Sequence, residues 1–269
     1  MSSNQEIQFI HANGFPPSSY APLLNLINNK FTINHFKLRP LLENSNPEEI
    51  KNWIPFQNDY IKSLNDKNDK VISIGHSIGG NIALRSCISN PEYFSKVVLI
   101  DPTLFTPRII FFWKMSLFLK IHKYIHPWVK ATLKRKMKYP SYESIFNSYR
   151  KKNVFKKIND SNLSIYIKSI TKTNDDGSLK ITYPKEWEYQ IYKTGLIADN
   201  YIWKNIKNIT LPVLIIRSKS SNAFLEPAAN KIKKLNKKIN IVTLDNTTHL
   251  FPLEIPKKTA ALINDFLIN

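Results

Sequence analysis

The chain has 269 residues, 42% of them hydrophobic, and a formal charge of +19 from 39 Lys and Arg against 20 Asp and Glu. That length and apolar content suit one sizeable core, with or without an insertion. Cys87 is the only cysteine, so intramolecular disulfides are excluded and a reducing, cytoplasmic setting is expected. No zinc spacing, helix-turn-helix signal or aromatic-glycine RNA motif accompanies the charge, which sets nucleic acid aside as a partner.

Met1 to Glu6 is polar, without the apolar segment of a secretory signal. Ile7 to Ile10 reads as a short buried strand and runs into His11-Ala12-Asn13-Gly14-Phe15-Pro16-Pro17, a sharp loop. A helix follows from Ser19 with Leu23, Leu24 and Ile27 on one face, then a bent strand from Phe31 to Leu38. Asn46-Pro47-Glu48-Glu49 is a helix start: a capping side chain, proline at the first helical position and carboxylates at the positive end of the dipole. That helix is expected to continue to Asp66 through Ile50, Trp53, Phe56 and Tyr60.

Val71 to Leu84 reads VISIGHSIGGNIAL. An apolar strand enters a Gly-x-Ser-x-Gly turn and leaves as a helix with apolar spacing, the context in which a strained turn lifts a serine hydroxyl clear of a sheet. Ser77 is therefore the candidate nucleophile. Val97 to Ile100 is another apolar strand, ending in Asp101-Pro102. Strands apolar on both faces, alternating with helices, indicate an α/β fold: a mostly parallel sheet with helices on both faces.

From about 105 to 207 this rhythm stops, and aromatic residues interleave with lysines. Arg108 to Val129 is expected as a helix, kinked or ended at Pro127, with Ser116, Lys120, Lys123 and Lys130 as its polar stripe. A second helix follows Pro140-Ser141, Asn174 to Gly177 is a turn, and Trp187 to Tyr192 is helical. The whole stretch is expected to be a helical cap (105–207) inserted after the strand ending at Asp101, between core segments 1–104 and 208–269. The sheet resumes with strands at Pro212 to Ile216 and Ile239 to Leu244, separated by a helix from Glu226 to Lys234, and a helix from Pro256 to Leu267 closes the chain.

A serine nucleophile needs a base. Of the six histidines, His122 and His126 fall in the cap and His35 in a strand, while His76 precedes the nucleophile and points away from it. His249 stands in the loop after the last strand, where an open parallel sheet presents ligands, and is the candidate base. The histidines show no paired spacing with carboxylates, so no metal is expected.

The stretches HANGFPP (11–17), GHSIGG (75–80), VVLIDP (97–102), LPVLIIRS (211–218) and THLFPLEIP (248–256) resemble the α/β-hydrolases, in particular their serine esterase and lipase-like group with a helical cap. The resemblance covers nearly the full chain, and serine at the elbow separates it from the dehalogenase and epoxide-hydrolase branches. It implies an oxyanion hole from the backbone N–H of Ile78 and one from the first loop, Phe15 first, with Asn13 and Gly14 as alternatives. It places the acid shortly after the strand that follows the cap, where Asn222 stands. Some members carry the acid after the preceding strand, which points to Asp101; Glu226 and Asp245 are outside candidates. The implied activity is hydrolysis of a small-molecule carboxylic ester with an apolar acyl or aryl group, without a cofactor. Another chemistry on the same triad (carbon–carbon bond hydrolysis or perhydrolysis) and a non-catalytic binding role are the alternatives. The cap, apolar and edged with lysine, is also expected to touch anionic membrane surfaces.

Overall fold

The structure is a computed structural model that describes residues 5–43, 45–125 and 127–269. The expectations for Met1–Asn4 and His126 lie outside the described residues, as do the side chains of Lys123 and Lys130. In chain order, β1 (Glu6–Ile10) leads through a 3-10 turn to the short α1 (Ala21–Leu24) and β2 (Thr32–Phe36). After α2 (Ile54–Lys62) come β3 (Val71–His76), α3 (Ile78–Ser89) and β4 (Phe94–Ile100).

The segment after β4 contains α4 (Pro107–Phe118), α5 (His122–Ile125), α6 (Pro127–Leu133), β5 (Lys138–Tyr139), α7 (Tyr142–Arg150) and α8 (Asp160–Ile170). It continues with β6 (Thr171–Thr173), β7 (Leu179–Ile181), α9 (Lys185–Thr194) and α10 (Asn200–Asn205). The chain then returns through β8 (Val213–Ser218), α11 (Glu226–Leu235), β9 (Ile239–Leu244), α12 (Phe251–Glu254) and α13 (Pro256–Ile268).

The main sheet has the order β2-β1-β3-β4-β8-β9, and every pairing in it is parallel. Its central strands β3 and β8 are buried at every residue because both faces are covered there, whereas the edge strand β2 is polar and mostly exposed. Val98 and Ile100 of β4 pack on one side with Leu23 and Ile263, while Val97 and Leu99 pack on the other with Phe56, Ile82 and Ile232. Successive side chains of one strand thus serve two cores, as the two-residue repeat requires. Cys87 is buried on α3 and burial pushes its thiol up to about 12, consistent with a small packing residue.

Three local expectations differ from the structure. The helix announced by Asn46-Pro47 is only a 3-10 turn, Pro47–Glu49, although Asn46 does cap it by accepting from Glu48 N–H at 3.0 Å. A second start intervenes, where the Asn52 side-chain Oδ1 accepts from Ile54 N–H at 2.8 Å and Pro55 occupies a first-turn position, and this helix ends at Lys62 instead of Asp66. The long helix from Arg108 breaks at Leu119–Lys120, not at Pro127, which begins a helix. Lys120 adopts φ 57°, Ile121 N–H reaches Ser116 O at 3.0 Å and Lys120 N–H reaches Leu117 O at 3.1 Å, a Schellman-type end with lysine in the left-handed position. The inserted segment also carries an antiparallel sheet, β5-β7-β6, turning at Asn174 to Gly177. Its strands are two or three residues long, too short for a periodic signal.

Candidate active site

Ser77 occupies the junction of β3 and α3 with φ 58° and ψ −118°. The turn closes so tightly that a Cβ on Gly75 would lie 2.2 Å from Gly79 O, and one on Gly79 would lie 2.2 Å from Ile10 O. Only glycine fits at either position, and this packing holds the serine in its unfavourable backbone conformation. Ile78 is the first residue of α3, so its N–H has no acceptor within the helix.

His249 follows β9, in the loop before α12. Its Nε2 lies 2.9 Å from Ser77 Oγ, and its Nδ1 lies 2.6 Å from Asp101 Oδ2. With Nδ1–H donating to the carboxylate, Nε2 is free to accept from the serine hydroxyl. A further hydroxyl, Thr103, is 3.1 Å from Ser77 Oγ. The loop is steadied from two sides: the Glu254 carboxylate accepts from Thr248 N–H and the Thr248 hydroxyl, and His76 lies behind. His76 is fully buried, with Nε2–H donating to His249 O at 3.0 Å and Nδ1 accepting from the Tyr20 hydroxyl at 2.6 Å. That hydroxyl in turn accepts from Ala12 N–H at 3.3 Å. Burial, reinforced by the neighbouring His249, holds the His76 imidazole well below its ordinary range and therefore neutral, as this pattern of one donor and one acceptor demands.

Asp101 is fully buried at the end of β4, with φ 39°. Besides the imidazole, it accepts from Ser218 N–H at 3.0 Å on Oδ1 and from the Ser221 hydroxyl at 2.6 Å on Oδ2. The Ser221 oxygen itself accepts from Ala223 and Phe224 N–H, so its proton is committed to Asp101. The loop after β8, where the family pattern expected the acid, thus supplies the donors that hold a carboxylate from β4. Asn222 in that loop is exposed. Glu226 is exposed as well, and Asp245 pairs with Lys219 on the surface at 3.1 Å, so neither meets the imidazole. The supporting groups, the Ser218 N–H and the side chains of Ser221, Thr103, Tyr20 and Glu254, carried no signal in the sequence, because each becomes relevant only when distant strand ends meet.

The first loop turns through Gly14 at φ 76°, with Phe15 N–H donating to Ala12 O at 3.2 Å. Ala12 O also accepts from His11 Nδ1 at 2.8 Å, and Leu38 N–H donates to His11 Nε2 at 3.1 Å. Burial lowers His11 to about 4, so it is a neutral brace for the loop. The outer side of the loop is held by the inserted segment. Asn13 donates to Glu188 O at 3.1 Å, the Tyr183 hydroxyl donates to Asn13 Oδ1 at 2.9 Å, and the Tyr166 hydroxyl donates to Gly14 O at 3.3 Å. The Phe15 ring stacks on Tyr166 with centroids 4.6 Å apart. Glu188 is nearly buried and pairs with Arg135; burial raises its carboxyl although the guanidinium opposes the shift.

Two further described histidines stay outside this arrangement: His35 lies on the edge strand β2, and His122 on α5 approaches Tyr189 at 3.4 Å. Among the described residues, no group of His, Cys, Asp and Glu converges to hold a metal ion. No helix there is long and apolar enough to cross a membrane. Chemically, the cluster offers a serine with a histidine at hydrogen-bond distance, a buried carboxylate behind that histidine and a helix N-terminal N–H on the residue after the serine, parts that suit attack on a carbonyl.

The model of the family described as serine aminopeptidase, S33, matches residues 56–253. No curated protein matches the chain in sequence. Solved structures similar to it include E-2-(acetamidomethylene)succinate hydrolase, with TM-score 0.79 and 20% identity over 99% of this chain and 92% of that one. The thioesterase domain from the curacin biosynthetic pathway has TM-score 0.76 and 13% identity over 100% and 93%. A peroxisomal α/β-hydrolase of Saccharomyces cerevisiae has TM-score 0.74 and 16% identity over 98% and 76%. At these identities the structural likeness speaks for the fold alone.

Proposed function

Because the chain belongs to the serine aminopeptidase S33 family of α/β-hydrolases, we propose that it is a serine hydrolase that cleaves a carboxylic ester through an acyl-enzyme intermediate. The observation that carries this reading is the relay from Asp101 to His249 at 2.6 Å and from His249 to Ser77 at 2.9 Å.

His249 takes the Ser77 proton as Oγ adds to the ester carbonyl, and Asp101 stabilises the imidazolium that forms. The oxyanion accepts from Ile78 N–H and from Phe15 N–H. Phe15 N–H can leave its 3.2 Å bond cheaply, because Ala12 O keeps its bond from His11. The imidazolium then protonates the leaving alkoxide, and water, activated by the same base, releases the acid. A preorganised oxyanion donor contributes about 100-fold or more to such a step.

The residues 105–207 act as the cap in this reading. The aromatic cluster beside the oxyanion loop, Phe15 on Tyr166 and Tyr166 against Phe155 at 5.2 Å, favours an apolar acyl or aryl group. The buried Asp101 carboxylate against His249 supports this reading over a non-catalytic binding role.

The test is to treat the purified protein with a fluorophosphonate probe and assay p-nitrophenyl esters of increasing acyl length. Labelling is expected on Ser77, lost in Ser77→Ala, with turnover on a medium or long acyl chain. A folded protein that takes no label refutes the catalytic reading. Labelling without turnover of any ester assigns the triad to another chemistry, such as carbon–carbon bond hydrolysis.

A further inference from the structure

The α4 helix turns the wrong face outward for a soluble protein. Its inner side is Ile110, Trp113 and Ser116, all buried, with the Ser116 hydroxyl donating to Trp113 O at 2.7 Å. The residue expected to open the polar stripe is therefore inside. The outward stripe is Phe111, Phe112, Met115, Phe118 and Leu119, continued by Ile121 past the helix end. Phe111 is 60% exposed, Phe118 80% and Leu119 57%. Positions 111, 112, 115, 118 and 119 fall within about a third of the helical circumference, so these side chains form one contiguous patch about 12 Å long. Its area reaches several hundred Å², the size at which an apolar patch on a monomer marks an interaction site.

The charge around the patch says what covers it. From Pro102 to Tyr142 the chain has no Asp or Glu, and it has nine Lys and Arg. Arg108, Lys114 and Lys120 are exposed within or beside the stripe. None of the three has a carboxylate within ion-pair distance among the described residues. The Arg108 guanidinium lies 5.8 Å over the Phe112 ring, which keeps its charge at the level of the aromatic groups. A second copy of the chain brings the same unpaired cations and the same +19, so self-association through this face is opposed by repulsion.

We propose that α4 and the turn after it dock the protein on an anionic lipid surface. The Phe and Leu side chains enter the acyl boundary, while Arg108, Lys114 and Lys120 meet lipid phosphates. This placement is independent of the chemistry at Ser77, although Thr103, four residues before α4, touches that serine.

The full-length protein would be sedimented with vesicles of phosphatidylcholine and with vesicles in which about a third of the lipid is phosphatidylserine. Binding is expected to be at least about tenfold tighter to the anionic vesicles and to weaken as salt is raised. Phe111→Ser with Phe118→Ser, and separately Lys114→Glu with Lys120→Glu, are expected to lose about tenfold or more each. Both double variants should keep the wild-type thermal midpoint and wild-type labelling of Ser77 by a soluble fluorophosphonate; Ser77→Ala should bind vesicles like the wild type. Equal partition to both vesicle types, no binding to either, or unchanged binding of the folded variants overturns the proposal. A concentration-dependent dimer abolished by the Phe111/Phe118 variant also overturns it and assigns the face to a second copy.

Discussion

Replacing Asp101 by asparagine tests the site where the chain departs from its family's usual arrangement. All the groups facing this carboxylate are donors: Ser218 N–H on Oδ1, and the Ser221 hydroxyl and His249 Nδ1–H on Oδ2. An amide must turn its NH2 towards one of the two positions. The Ser218 N–H belongs to the end of β8 and cannot rotate, so an NH2 on that side leaves two buried donors opposed, at a cost of about 1–3 kcal/mol. On the other side the hydroxyl can rotate and the imidazole can change tautomer. The amide oxygen therefore stays at Ser218, and the NH2 donates to His249 Nδ1. The proton then sits on Nε2, facing Ser77 Oγ across 2.9 Å, and the base can no longer accept from the serine.

The expected loss in kcat is about four orders of magnitude, roughly 5 kcal/mol of transition-state stabilisation. KM should change little, because the carboxylate is fully buried behind His249. The assay is kcat on the best p-nitrophenyl ester, with the thermal midpoint as the control for folding. Asn222→Ala is the comparison and should stay within about twofold, since that side chain is exposed. A folded Asp101→Asn protein retaining a tenth of wild-type turnover, or an Asn222→Ala protein that loses more, refutes the assignment.

The hydroxyl of Tyr183, removed in Tyr183→Phe, leaves Asn13 Oδ1 without its 2.9 Å donor and loosens the oxyanion loop; kcat should drop about tenfold with little change in KM or thermal midpoint, and equal effects on both kinetic parameters would refute a role in the loop. His11 titrates near 4 in the folded chain against an ordinary 6.5, because burial disfavours its charge. Between those values the unfolded chain binds the extra proton, so stability is full above about 6.5 and is lost as the pH falls towards 4, by up to about 3 kcal/mol from this group. Urea unfolding at pH 7 and pH 4.5 should show this fall, reduced in His11→Gln; an identical pH dependence in the variant would exclude His11 as its source. A Cβ at residue 79 would meet Ile10 O at 2.2 Å, so Gly79→Ala is expected to cost about 4 kcal/mol or more and to lower the soluble yield sharply; a wild-type urea midpoint would refute the close approach.

What could be read from the chain alone followed from local rules. The strands β3, β4, β8 and β9 announced themselves as apolar runs, and the elbow between β3 and α3 as Gly75-His76-Ser77-Ile78-Gly79. The α4 stripe could not be oriented in this way. A helix apolar on most of its surface does not specify which side meets the core, so Ser116 and the lysines were expected outside, whereas Ser116 is buried and Phe118 is exposed. The short strands β5, β6 and β7 exist through their pairing with one another, and residues such as Thr171 and Lys172 carry no strand pattern on their own.

The amino-acid order by itself determined the parallel sheet, the turn that carries Ser77 and the loop that carries His249, because strand periodicity, glycine at the turn and position after a strand are local properties. Only the tertiary structure decided which acid stands behind His249 and which groups hold it. Asp101 and His249 are 148 residues apart and meet because β4, β8 and β9 lie side by side, which brings the end of β4, the Ser218–Ser221 loop and the histidine loop to one edge of the sheet. There a buried carboxylate is stable only where several donors converge, and convergence is a property of neighbouring strand ends, not of any one segment.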